Sequence, residues 1–187
     1  MDLMNALYGR RSVRDYLDEP VDRQTLALLL DAAVQAPTAM HREQWAFVVV
    51  SGRGRLAEWS DRIKALALGG EAPAPDAHGP AALLADPAFN VFYNAPHLVA
   101  VCATEPGIMS VQTCCLAAEN LMLAAHGQGL GTCWIGFAEG WLATPEGRAA
   151  LALPDGWDCV APIILGRPRA MPAAPGRKPA LTRYIGD

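Results

Sequence analysis

Three arginines and a serine stand within five residues near the start of the chain, as Arg10, Arg11, Ser12 and Arg14. Guanidinium groups crowded this closely repel one another unless an anion or several carboxylates neutralise them, and their planar fork suits phosphate or carboxylate. Two arrangements meet that requirement: a bound anion, or surface pairing with the neighbouring Asp15, Asp18 and Glu19. A second basic group, Arg167, Arg169, Arg177, Lys178 and Arg183, lies in a Pro-rich tail long enough to reach back to the first. Between the two groups, residues 65–147 hold seven acids and no Lys or Arg, so any anion site must be assembled from the two ends.

Spacing excludes several other chemistries. Residues 127–131 (GQGLG) follow a helical pattern and precede a strand pattern, the reverse of the context a dinucleotide-binding loop requires, and they do not read GxGxxG. There is no GxxxxGK[ST], HExxH or GxSxG. His41, His78, His97 and His126 lack the spacing of metal ligands. The five cysteines form no CxxC pair, are odd in number and lie among apolar neighbours, so they read as buried free thiols of a reducing compartment. Trp45 and Trp134 read as core packing.

The elements that must position these residues follow from periodicity. Residues 3–7 form an amphipathic turn behind Asp2, and Asp22 caps a helix with the stripe Leu26, Leu29, Leu30, Ala33 and Val34, closed by Pro37. Apolar runs at 45–50 (WAFVVV), 98–103 (LVAVCA), 132–137 (TCWIGF) and 159–165 (CVAPIIL) predict four buried strands. Residues 53–68 predict a helix with charges on one side, and Thr144-Pro145 starts a short one. Residues 108–126 predict a helix apolar almost all round, which must be covered on most of its surface and therefore points to a partner subunit. Residues 69–87 have no sustained periodicity. They are expected to form an excursion, with 70–87 a mobile lid and Phe89, Phe92 and Tyr93 an apolar wall beside it.

With 187 residues, 52% hydrophobic and 18% charged, the chain reads as one compact domain over 1–187 with an extended tail at 167–187. The net charge of −4 argues against nucleic acid or an anionic membrane as main partner. The start, MDLMNALYGRRS, lacks the apolar run of a signal peptide, and the longest uncharged stretch, 120–138, carries four glycines and makes a poor membrane span. The expected location is the cytoplasm.

Five segments in order, RRSVRDY (10–16), AAVQAPTAMHREQWAFVVV (32–50), FYNAPHLVAV (92–101), GLGTCWIGF (129–137) and PIILGRP (162–168), resemble the FMN-dependent nitroreductase family. The resemblance implies an α+β fold with a mixed central sheet flanked by helices, an intertwined homodimer, and FMN held at the interface. By resemblance Arg10 and Ser12, with Arg11 beside them, grip FMN phosphate or ribityl oxygens, and Arg14 lies near the flavin pyrimidine edge. Pro37, Thr38 and Ala39 resemble the loop that passes along the isoalloxazine of the other subunit, with His41 where the family usually has Asn. Trp134, Ile135 and Gly136 match the strand whose backbone amides face flavin N5 and O4, and Arg177 or Lys178 matches a basic phosphate contact. No side-chain acid or base is implied. The implied activity is reduction of a small planar electron acceptor, such as a nitroaromatic or a quinone, by NADH or NADPH. A flavin-fragmenting or dehalogenating enzyme and a non-catalytic FMN-storage protein are the alternatives.

Overall fold

The computed structural model describes residues 2–69, 79–174 and 176–186. Four strands, β1 (Trp45–Ser51), β2 (His97–Ala103), β3 (Gly131–Trp134) and β4 (Asp158–Gly166), form one sheet in the order β1-β2-β4-β3, every neighbour antiparallel. Its parallel component is the isolated bridge between Ser12 and Thr132, which brings the basic segment alongside β3.

The sheet is the middle of three layers. Successive strand residues point to opposite faces, so Leu98, Ala100 and Cys102 of β2 join one core while Val99, Val101 and Ala103 join the other. Every residue of β2 is buried, which is why its sequence reads as an unbroken apolar run. Against the first face pack α3 (Arg53–Leu68), through Leu56, Trp59 and Ile63, and α6 (Gly136–Leu142), through Ala138, Trp141 and Leu142. Against the second pack α2 (Arg23–Ala33), through Leu26, Leu29 and Ala33, and α5 (Ile108–Gly127), through Cys114, Ala118, Leu121 and Ala125. Each fully buried Leu on these faces contributes about 1.5–3 kcal/mol of transfer free energy. The first helix, α1 (Leu3–Gly9), is capped by the Asp2 carboxylate, and Asp22 caps α2 by accepting from Thr25 N–H.

Three sequence expectations are corrected. The third strand ends at Trp134, and residues 136–137 open α6, because Ala138, Trp141 and Leu142 recur at helical spacing toward the core. Within the segment read as aperiodic, residues 80–85 form α4 (Pro80–Ala85) with proline in its first turn, while 70–78 lie outside the described residues. All five cysteines are free, but Cys115 and Cys159 are only partly buried. Helix α5 is long and apolar enough to cross a membrane, yet one face packs on the sheet and α2, and Ile108, Met109, Val111 and Leu116 are left exposed. A short helix, α7 (Pro145–Ala150), links α6 to β4.

One buried histidine ties the N-terminal segment to the sheet. Val21 N–H donates to His97 Nε2 at 3.0 Å, and His97 Nδ1 lies 2.8 Å from Ser51 Oγ. Burial lowers the His97 pKa below its ordinary value of 6.5, and a protonated Nε2 could not accept from Val21. Below that pH the unfolded chain binds a proton that the folded chain resists, so stability falls as pH drops from about 7 to 5. His126 adds to the slope, its pKa also lowered, first by burial and then by Arg11 and Arg10. Urea unfolding across this range should show His97→Gln with a shallower slope than the parent and about 1 kcal/mol or more less stability at pH 7. An unchanged slope would show that His97 does not titrate with folding.

Candidate functional site

The basic segment leaves α1 in an extended conformation, and its register is fixed from both sides. Val13 N–H donates to Thr132 O at 2.9 Å, and Tyr16 Oη donates to Val13 O at 2.7 Å. The Val13 side chain is fully buried over Gly131, where a Cβ on residue 131 would stand 2.7 Å from Val13 Cβ. Only a residue without a side chain lets the segment lie this close to β3. Alternation then turns Ser12 and Arg14 outward.

The four polar residues have different surroundings. Arg10 Nε lies 3.2 Å from Glu119 Oε1 of α5, a carboxylate from the part of the chain without Lys or Arg. Arg11 turns back and donates from Nη1 to Tyr8 O and Arg10 O, both at 2.7 Å, so it shapes the turn after α1. Asp15, Asp18 and Glu19, which the sequence offered as neutralisers, pair instead with Arg169, Arg53 and Arg167. Among the described residues Arg14 has no ion pair, and its guanidinium lies 5.7 Å from the centroid of the Tyr93 ring.

Arg14 and Tyr93 form one side of a cleft of about 260 Å³ whose other walls are Cys133, Trp134, Ile135, Gly136 and Phe137. The backbone here passes from β3 into α6: Ile135 N–H donates to Pro162 O at 2.8 Å, and no side chain caps the helix start. Uncapped first-turn amides are donors looking for a partner. Phe89 meets Tyr93 edge-on at 5.4 Å and Phe137 at 6.3 Å, which makes one wall aromatic. Trp134 is held by its Nε1 donating to Glu139 at 2.7 Å. Burial raises the Cys133 thiol pKa, and Arg14, the Ser12 hydroxyl and Arg10 partly counter it.

Of the three aromatics singled out in sequence, Phe92 is fully buried in the core and forms no part of the wall. Tyr93 and Asn94 both have positive φ, 51° and 54°, and this turn puts consecutive aromatics on opposite sides. Phe137 and Cys133 were not singled out; Phe137 was read as strand, and only the helical spacing after Gly136 signals its place at a helix start.

The remaining candidate residues lie elsewhere. Thr38 precedes a 3-10 turn, Ala39–His41, that packs near α5, and Met40, His41 and Glu43 all have positive φ. Neither Pro37, Thr38, Ala39 nor His41 lines the cleft. Arg42 pairs with Glu105 beside this turn. Arg177 and Lys178 are exposed in the tail, which also exposes Leu181, Tyr184 and Ile185 almost completely. The structure thus brings Arg14 together with Trp134, Ile135 and Gly136 in one cleft, whose lining does not include Arg10, Arg11, Ser12, residues 37–41 or residues 177–178. No cluster of His, Cys, Asp and Glu among the described residues could hold a metal ion.

Residues 7–167 match the model of the nitroreductase family. The chain is 33% identical over 141 residues to a protein of Methanothermobacter thermautotrophicus provisionally named NADH dehydrogenase/NAD(P)H nitroreductase; the match spans 73% of this chain and 61% of that protein. It is 30% identical to the 5,6-dimethylbenzimidazole synthase of Rhodospirillum rubrum, over 90% of this chain and 83% of that one. Among solved structures, a nitroreductase of Bacteroides fragilis with bound FMN is similar at a TM-score of 0.79 and 29% identity, covering 100% of this chain and 98% of that one.

The contact under Val13 gives a stability test. Gly131→Ala should destabilise the protein by about 1–3 kcal/mol in thermal unfolding, since neither Val13 nor the β3 backbone can give way cheaply. Gly140→Ala, in α6 with nothing near its added Cβ, should be neutral or stabilising by up to about 1 kcal/mol. Equal effects at the two glycines would show that the close approach is not required.

Proposed function

The chain belongs to the nitroreductase family, and from that premise we propose that it binds FMN in the Arg14 cleft and passes reducing equivalents from NADH or NADPH to a small planar acceptor. One observation carries the reading: a guanidinium that among the described residues has no carboxylate partner stands over an aromatic ring at a cleft whose far side is uncapped backbone at a helix start. Such a cleft fits a flat, polar-edged ring system. An aromatic wall takes one face, and the cation and amides take its oxygens and nitrogens.

Bound FMN would supply a ring that accepts two electrons from one substrate and yields them to the next. The protein's part is to bind, orient and stabilise charge. Arg10 and Ser12 would hold the phosphate and ribityl oxygens, and Arg11 sets the turn that aims them. Arg14 would hold the polar edge of the ring, where a fixed positive group stabilises negative charge. The backbone amides of Trp134 and Gly136 would donate to the ring's other edge, where no side chain is needed, while Ile135 N–H is taken by Pro162 O and serves to fix the turn. No proton-transfer residue is assigned, because orientation and electrostatics suffice for a two-electron exchange.

Pro37, Thr38, Ala39 and His41 enter this reading from a second subunit, and Arg177 or Lys178 of the tail as a phosphate contact. The homodimer is supported by the exposed Ile108, Met109, Val111 and Leu116 on α5 and by a tail that exposes Leu181, Tyr184 and Ile185. Apolar surface of this extent is unusual on a soluble monomer. Free thiols in a protein of this kind fit the cytoplasm. A second reading, in which the flavin is consumed, is supported by the 30% identity to a 5,6-dimethylbenzimidazole synthase, whose product shares the dimethylbenzene ring of the isoalloxazine.

Mixing FMN-loaded protein with NADH under anaerobic conditions should bleach the flavin, and adding a quinone or nitroaromatic should restore the colour without loss of flavin. Absence of bleaching would leave a storage protein, and irreversible loss of flavin on re-aeration would favour the second reading. Arg10→Ala should weaken FMN binding by about 1.5–3 kcal/mol in a fluorescence titration. Sedimentation should show a dimer; a stable FMN-bound monomer at micromolar concentration would remove the interfacial site.

A further inference from the structure

Behind the Arg14–Tyr93 wall lies a second cleft, of about 390 Å³, that shares both residues with the first. Its lining is of a different kind. Three guanidinium groups, Arg14, Arg53 and Arg169, face it together with Asn90, against the single carboxylate of Asp15. Asp15 is engaged with Arg169 at 3.3 Å, and both side chains are more than half exposed, so that pair holds its geometry weakly. Arg53 is anchored by Asp18 and by the carbonyl of Leu17, so its guanidinium is held in place at the cleft wall.

The wall between the clefts is itself unusual. Tyr93 and Asn94 hold consecutive positive φ values, a conformation that side chains of this size adopt at a cost, and the result is a ring presented to both clefts at once. One cleft is aromatic and flat; the adjoining one is cationic. A partner stacked on a ring held in the first would place an oxyanion substituent in the second.

We propose that the cleft formed by Arg53, Arg169 and Asn90 is an oxyanion subsite for the redox partner, receiving a phosphate or carboxylate while the partner's ring stacks on a flavin held in the Arg14 cleft. The subsite rests on the flavin reading above and extends it to substrate class: it selects charged planar partners over uncharged ones. Arg169, on the surface and tied only by a weak pair, is the adjustable member. Arg53, held on two sides, is the fixed one.

Two matched pairs test it with FMN-loaded protein: NADH against the uncharged donor 1-benzyl-1,4-dihydronicotinamide, and 4-nitrobenzoate against 4-nitrobenzyl alcohol. In Arg169→Ala the KM of at least one charged member should rise about fivefold or more relative to its uncharged counterpart, and Arg169→Glu should widen the ratio. The pair that responds tells phosphate from carboxylate. Unchanged ratios in both pairs would overturn the subsite. If the variants fail to fold or to hold FMN, calorimetric titration of inorganic pyrophosphate into the FMN-loaded parent decides: saturable binding supports the subsite and its absence overturns it. Failure of the parent to take up FMN is a different result, which removes the flavin reading rather than the subsite alone.

Discussion

The contact between Val13 and Gly131 is the constraint on which the site depends. Because residue 131 has no side chain, an extended segment can lie against the outer strand of the sheet, with Val13 filling the space and Thr132 O taking its amide. From that one approach follow the outward aim of Ser12 and Arg14, the inward aim of Tyr16, and the stitching of the segment after β4 through the bridge between Tyr16 and Pro168. A loop carrying several cations would ordinarily be held loosely by its own repulsion. Here a buried aliphatic contact, the backbone hydrogen bond from Val13 to Thr132 and the Tyr16 hydroxyl on Val13 O hold it, so the guanidinium groups are placed by packing rather than by their own charges.

The partition of charge follows from the same geometry. The acids nearest in sequence to the cluster are drawn to Arg53, Arg167 and Arg169, residues that the sheet and the tail bring alongside. Arg14 is thereby left facing an aromatic ring. Surface ion pairs of this kind contribute little stability one by one. Their effect here is on availability, since each carboxylate occupied elsewhere is one that does not quench the cation at the cleft.

Much of the fold was legible in the sequence where burial on both sides forces a pattern. The runs at β2 and β4 and the apolar helix α5 could be read because no other environment tolerates them. The junction after Trp134 was not, because Ile135, Gly136 and Phe137 suit a strand as well as a helix start and only the residues beyond them decide. Helix α4 was hidden in an Ala and Pro-rich stretch whose first-turn proline was its one signal. At the site, the arginine cluster and the 134–136 segment were legible as residue types. The carboxylates that would neutralise the cluster were misassigned because pairing is set by tertiary neighbours. Phe92 and Tyr93 could not be told apart until the positive-φ turn separated them.

The order of the sheet has a consequence for synthesis. Strand β4 lies between β2 and β3, yet among the described strands it is the last to leave the ribosome. Until residues 158–166 emerge, β2 can pair with β1 but keeps one edge of unmatched amides and carbonyls beside side chains that are apolar on both faces. Such an edge is a template for wrong partners, including the same strand of a neighbouring nascent chain. The protein's most buried strand in the finished fold is therefore its most vulnerable one during translation, and the speed with which the ribosome delivers β4 bears directly on the yield of native protein.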